Sequence, residues 1–194
     1  MKRQVVVVAG PSGSGESTIT NEIVRRYPRR ATRLVTATTR PPRRGEKSGK
    51  DYYFFSKEEF AQEKDLGHIP ESTYIENRDT YYGTYVPDLE KKLAAGRVII
   101  VNPDIVGARY YKEQHSAVTI FIIPESIDAL EKRIRERSPD LSEAEIAHRR
   151  ENAAREMRKE QSFYDYVVTN ADGKLEKAVD DVVAILKKEG YTLE

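Results

Sequence analysis

Val5-Val-Val-Val-Ala9-Gly10-Pro-Ser12-Gly13-Ser14-Gly15-Glu16-Ser17-Thr18 carries an apolar run into a glycine-rich turn, which opens directly on an amphipathic segment in the order strand, loop, helix. Glycines let successive backbone N–H groups turn inward on an anion, and the helix that follows adds the positive end of its dipole. The spacing Gly10-x4-Gly15-x-Ser17 fits the phosphate-loop pattern G-x-x-x-x-G-K-[ST] at every position but one, where Glu16 stands in place of lysine. A ligand-free turn would leave three glycines followed by Ser17 and Thr18 unexplained. A dinucleotide-binding fingerprint fails on Thr18, which stands where the third small residue belongs, and no acidic residue ends a second strand at the expected distance. Gly10, Ser12, Gly13, Ser14, Gly15, Glu16, Ser17 and Thr18 are thus the candidate phosphate-binding set.

At 194 residues the chain suits one domain with inserted lobes and is long enough for a sizeable core. Lys+Arg 33 against Asp+Glu 32 gives +1, so no global field points to nucleic acid or to an acidic membrane. Cysteine is absent, which excludes disulfides, thiol nucleophiles and Cys-ligated metals. His68, His115 and His148 have no ligand spacing and read as surface or structural. The chain enters a strand by Gln4 or Val5, and no apolar run approaches the ~18 residues of a membrane span. A soluble cytoplasmic protein is expected, with no nucleic-acid or membrane partner. Nothing in the sequence bears on its oligomeric state.

Downstream, Ile19, Ile23 and Val24 mark one face of a helix that Pro28 stops. Thr32 to Thr39 is β-branched and strand-like, then breaks at Arg40-Pro-Pro-Arg43-Arg-Gly45. A short strand over Tyr52 to Phe55 precedes a helix with the capping box Ser56-Lys-Glu-Glu59, and His68 to Thr84 suits a hairpin. Helices are expected over Val86 to Ala95, Ile105 to Gln114, Ser126 to Arg137, Ser142 to about Tyr164, and Lys174 to Glu189. They alternate with strands at Val98 to Val101, Ala117 to Ile123 and Tyr166 to Thr169. That rhythm predicts an α/β, three-layer fold around a mostly parallel sheet, with these three strands and Val5 to Ala9 at its centre. The stretch from about Thr36 to Thr84 breaks the rhythm and reads as an inserted lobe.

Gly10-Pro-Ser-Gly13-Ser-Gly15, Thr38-Thr-Arg40-Pro-Pro-Arg43, Gly49-Lys-Asp-Tyr52, Tyr81-Tyr-Gly83-Thr84, Asp104-Ile-Val-Gly107 and Tyr164-Asp-Tyr-Val-Val-Thr-Asn170 together give a resemblance to the guanylate kinase family over nearly the whole chain. The resemblance implies a P-loop nucleoside monophosphate kinase that moves the γ-phosphoryl group of ATP to GMP with Mg²⁺. Its parts would be a core (1–33, 85–125 and 165–194), a GMP-binding lobe (34–84) and a helical lid (126–164). Planar guanidinium forks at Arg40 and Arg43 match a dianionic phosphate bidentately, and Tyr52 and Tyr82 each have a hydroxyl to donate. The resemblance assigns all four to the GMP phosphate. Guanine presents N1–H and an exocyclic amine beside a carbonyl, so its reader needs a carboxylate and a hydroxyl. The resemblance places Glu71, Thr36 and Thr84 there, with Glu76 the alternative carboxylate because the hairpin is about two residues long for the family. It further sets Arg133, Arg137 and Arg149 over the transferring phosphates, Ser17 on Mg²⁺, Thr18 near an α-phosphate, Asn170 against the adenine and Asp104 near the reaction centre. A solvated, ion-paired helix accounts equally for any single one of the three arginines.

Two positions depart from the family's pattern. Glu16 inverts the charge that the loop lysine brings to the β- and γ-phosphates, unless it rotates into water. Asn102 replaces the first acid of the Asp-x-Asp-x-x-Gly segment. The sequence therefore leads to a guanylate kinase impaired by Glu16. The alternative is a catalytically silent module that binds GMP or a phosphorylated partner through the same basic lobe.

Overall fold

The computed structural model describes residues 3–193. In chain order the elements are β1 (Val5–Ala9), α1 (Glu16–Arg26), β2 (Ala31–Arg33), β3 (Ala37–Thr38), β4 (Tyr53–Phe54), α2 (Lys57–Asp65), β5 (Ser72–Ile75) and β6 (Thr80–Gly83). They continue as α3 (Val86–Ala94), β7 (Val98–Val101), α4 (Ile105–His115), β8 (Val118–Pro124), α5 (Ile127–Arg137), α6 (Glu143–Glu160), β9 (Tyr166–Asn170) and α7 (Leu175–Lys188). Five strands form an all-parallel sheet in the order β2-β7-β1-β8-β9, and four form a mixed sheet in the order β4-β3-β6-β5.

The central strands read as unbroken apolar runs because both faces of the parallel sheet are covered. Val6 and Val8 face the side closed by α1 and α7, where Ile19, Ile23, Val179, Val182 and Leu186 bury. Val5 and Val7 face the other side with Leu89, Tyr111, Phe121 and Tyr164. Fully burying each of these aliphatic side chains contributes about 1.5–3 kcal/mol. Gly10 ends β1 so closely against β8 that a Cβ there would strike the Ile122 carbonyl. Helix α2 opens with the predicted reciprocal cap: Ser56 Oγ accepts from the Glu59 amide, and Glu59 accepts from the Ser56 amide.

Two expectations are corrected. The single strand expected from Thr32 to Thr39 is split between the two sheets, with β2 in the parallel one and β3 in the mixed one. In the link, the Leu34 amide donates to Ile100 O (2.9 Å), the Val35 amide to Asp88 Oδ2 (2.9 Å), and Thr36 O accepts from the Tyr53 amide (2.8 Å). Strand β9 lies at the sheet edge rather than its centre, with Val168 buried and Val167 39% exposed. No helix among the described residues is long and apolar enough to cross a membrane.

Candidate active site

Two cavities meet along the carboxyl ends of the parallel strands, the usual place for ligands on an open α/β sheet. The smaller, about 530 Å³, is walled by Gly13, Gly15, Glu16, Ser17 and Thr18 on one side and by Arg133, Arg137 and Asn170 on the other. Gly15 takes φ 96° and caps α1 without a side chain, so the first amides of the helix face the loop. A Cβ on Gly15 would also run into Asn170 Nδ2, the group that pins the loop by donating to Ser14 O at 2.8 Å. Arg133 grips the same corner, donating to Asp172 Oδ1 (2.8 Å), Asn170 O (2.8 Å) and Ser14 O (3.4 Å). Arg137 reaches Ser12 Oγ at 3.4 Å.

Glu16 does not rotate into water. Its carboxylate folds back on the loop, where Oε2 accepts the Ser14 hydroxyl at 3.0 Å. Burial raises its pKa, while the Ser14 hydroxyl, its own and the Gly15 amides, and the Arg137 charge all act the other way. Three donors and a cation explain the inward turn: the loop solvates the carboxylate in place of water.

The larger cavity, about 880 Å³, lies between the β5–β6 hairpin, the start of α4 and one face of α6. Its wall includes Thr36, Tyr52, Glu71, Tyr82, Thr84, Asp104 and Arg149, with Ser12 at the junction with the smaller cavity. Glu71 Oε1 accepts from both the amide (2.9 Å) and the hydroxyl (2.6 Å) of Thr84, whose hydroxyl also bonds Tyr111. Burial raises the Glu71 pKa, against which the two Thr84 bonds act, and nearby Asp104 adds to the rise. Glu76 is exposed on the 3-10 turn at the hairpin tip, outside the cavity wall, so Glu71 is the carboxylate that faces the pocket. Asp104 caps α4, one oxygen accepting the Val106 and Gly107 amides at 3.0 Å each.

The two arginines of the Arg40-Pro-Pro-Arg43 loop are held differently. Arg40 stacks over Tyr52 and Phe54 at 5.4 and 5.7 Å, beside the cavity, and both its Nη groups are held by Glu46 at 2.9 and 3.0 Å. Arg43 is exposed, and only its amide meets Glu46, at 2.7 Å. The reason is a carboxylate six residues beyond Arg40 in the same short loop, a bidentate partner that spacing alone does not distinguish from surface charge. Glu46→Ala is expected to lower kcat/KM for a monophosphate substrate by about ten- to a hundredfold, chiefly through KM, by releasing Arg40 from its stacked pose. Steady-state kinetics check this, and an unchanged KM would show that the grip positions nothing.

Between the cavities, Asn102 Nδ2 donates to Val8 O (2.8 Å) and Thr20 Oγ1 (2.9 Å), leaving its Oδ1 buried and unpartnered. An aspartate could not donate to Val8 O, so the amide is fitted to this site. Glu156, on α6, lines the larger cavity, and its carboxyl is pushed up to about 7, first by burial and next by Glu160, with Glu16 adding. A folded state that holds this proton after the unfolded chain has released it loses stability as pH rises from about 4.5 through about 7. Glu156→Gln is expected to flatten that decline, measured as Tm between about pH 5 and 8. An identical slope in the variant would disprove the assignment.

A family model described as guanylate kinase matches residues 2–189. The chain belongs to the guanylate kinase family. A curated guanylate kinase from Synechocystis sp. is 37% identical over 190 residues, covering 97% of this chain and 96% of its own. One from Symbiobacterium thermophilum is 40% identical over 190 residues, covering 97% and 86%. The crystal structure of guanylate kinase from Anaplasma phagocytophilum superposes with a TM-score of 0.73 at 28% identity, covering 99% of this chain and 89% of that one. Within a guanylate kinase fold, Glu46, Tyr111, Asp172 and Glu156 are contacts that the sequence did not single out. Only Glu46 left a trace, an acid at short range from the paired arginines.

Proposed function

We propose that the chain transfers the γ-phosphoryl group of ATP to GMP, giving ADP and GDP. The observation that carries this reading is the Glu71–Thr84 pair in the cavity wall. It sets a carboxylate beside a hydroxyl where guanine's N–H groups and carbonyl would be met, in one pocket with Tyr52 and Tyr82 and next to Arg40. Thr36 and Asp104 complete the base end. Arg40, Arg43, Tyr52 and Tyr82 would take the GMP phosphate, Arg40 through its remaining N–H groups while Glu46 holds it in place. The loop from Gly10 to Thr18 would hold the ATP phosphates, and Asn170 would border the adenine. Arg133, Arg137 and Arg149, on the 126–164 lid, would place positive charge on the transferring group as the lid meets the 34–84 lobe over the core. Little else is asked of the protein, because phosphoryl transfer depends on positioning and charge rather than covalent chemistry.

Mg²⁺ fits the oxygen donors present, namely the Ser17 hydroxyl and the unpartnered Asn102 Oδ1. When bound it would supply positive charge against the negative charge developing on the phosphate oxygens. Glu16 in the loop favours a second reading, a module that binds GMP without turnover. A coupled ADP-release assay separates the two. Turnover with GMP and not with AMP supports the kinase; GMP binding with no ADP released supports the silent module.

A further inference from the structure

Glu16 begins α1 behind a cap residue, Gly15, that offers no side chain. Its carboxylate turns back rather than outward, taking the Ser14 hydroxyl at 3.0 Å with the Gly15 and Glu16 amides directed at it. These main-chain groups are the ones a phosphate loop turns on its anion. The cations nearby are unevenly committed. Arg133 is occupied by Asp172, Asn170 O and Ser14 O, whereas Arg137 meets the Ser12 hydroxyl at 3.4 Å and lends its charge to Glu16. Glu156, on the wall of the larger cavity, is close enough to feel the Glu16 charge.

We propose that the Glu16 carboxylate is the resident anion of its own phosphate loop, that a donor nucleotide must displace it, and that the donor site consequently selects the divalent-cation complex of the nucleotide over the free nucleotide. This rests on the reading of the loop as the donor site. The displaced carboxylate stays one residue from Ser17, close beside the polyphosphate, and like charges a few ångström apart in a partly buried cleft repel strongly. A loop lysine would relieve that repulsion by itself. Here the relief falls to a hard divalent cation, for which carboxylate, hydroxyl and phosphate oxygens are all good ligands. The metal thus strengthens nucleotide binding, ahead of any role in transfer.

The test is a calorimetric titration of ATP, without GMP so that nothing turns over, in excess Mg²⁺ and in excess EDTA. It uses the unmodified chain, Glu16→Gln and Glu16→Lys, with thermal melts to establish that each is folded. The unmodified chain is expected to bind the magnesium complex about a hundredfold or more tighter than free ATP. Glu16→Gln should reduce the preference to about tenfold, and Glu16→Lys to within a few-fold. Free ATP binding the unmodified chain within about threefold of the magnesium complex would overturn the inference, whatever the variants do. Absence of ATP binding in all three, Glu16→Lys included, with GMP still bound, would instead overturn the donor-site reading beneath it.

Discussion

Glu16→Lys is expected to raise kcat for GMP phosphorylation by about a hundredfold or more, with KM for GMP moving by less than about threefold. Unit charges about 4 Å apart at an effective dielectric near 20 interact by ~4 kcal/mol, so exchanging an anion for a cation beside the phosphates is worth ~8 kcal/mol as an upper bound. Mg²⁺ and the folded-back pose of Glu16 absorb much of this. If only ~3 kcal/mol acts selectively in the transition state, the rate still changes more than a hundredfold. KM for GMP should hold because Glu71, Tyr52 and Tyr82 line the other cavity. A kcat that stays constant, with the unmodified chain already fast, would mean that Arg137 and Arg133 supply what lysine supplies in the phosphate-loop pattern.

Glu71→Gln is expected to lower kcat/KM for GMP by about 10²–10⁴-fold while leaving the melting temperature nearly unchanged. The amide oxygen of glutamine can still accept both Thr84 bonds that Glu71 Oε1 accepts now. Its NH₂ group then faces the N–H donors of guanine, and two donors opposed in a buried site each forfeit a partner. Competition between GMP and AMP reads the effect directly: the variant should lose its preference for GMP rather than its fold. A Glu71→Gln enzyme that still chooses GMP over AMP as strongly as before would remove Glu71 from base recognition and reopen the case for Glu76.

What the sequence discloses well is local. The capping box at Ser56 and Glu59, the apolar run of β1 and the glycine spacing of the loop each depend on neighbours within a few residues, and each forms as expected. The division of residues 32–39 between two sheets is not local. It is set by Ile100 O and Asp88, far along the chain, which take the amides of Leu34 and Val35. Strand β9 misleads because Tyr166, Val167 and Val168 are all apolar, yet the exposure of Val167 and burial of Val168 show the alternation of an edge strand. In the site, the motifs that carry the family resemblance pointed to Thr36, Tyr52, Glu71, Tyr82, Thr84, Asp104 and Arg149, which share the wall of the larger cavity. They did not predict the partners of charged groups. The grip of Glu46 on Arg40 and the return of Glu16 to its own loop depend on how each loop closes, within a few ångström.

The chain passes between the parallel and the mixed sheet only at residues 34–36 and 84–85. Two tethers define an axle, and any rigid swing of the mixed sheet would turn about the line joining them. Thr36 and Thr84 sit on that axle, so they travel least, whereas the hairpin tip around Arg78 and the Arg40–Glu46 loop ride at the rim. A base held by Thr84 and Glu71, as proposed, would therefore meet nearly the same surroundings at every angle of the swing, while the phosphate it carries would be ferried toward the nucleotide loop.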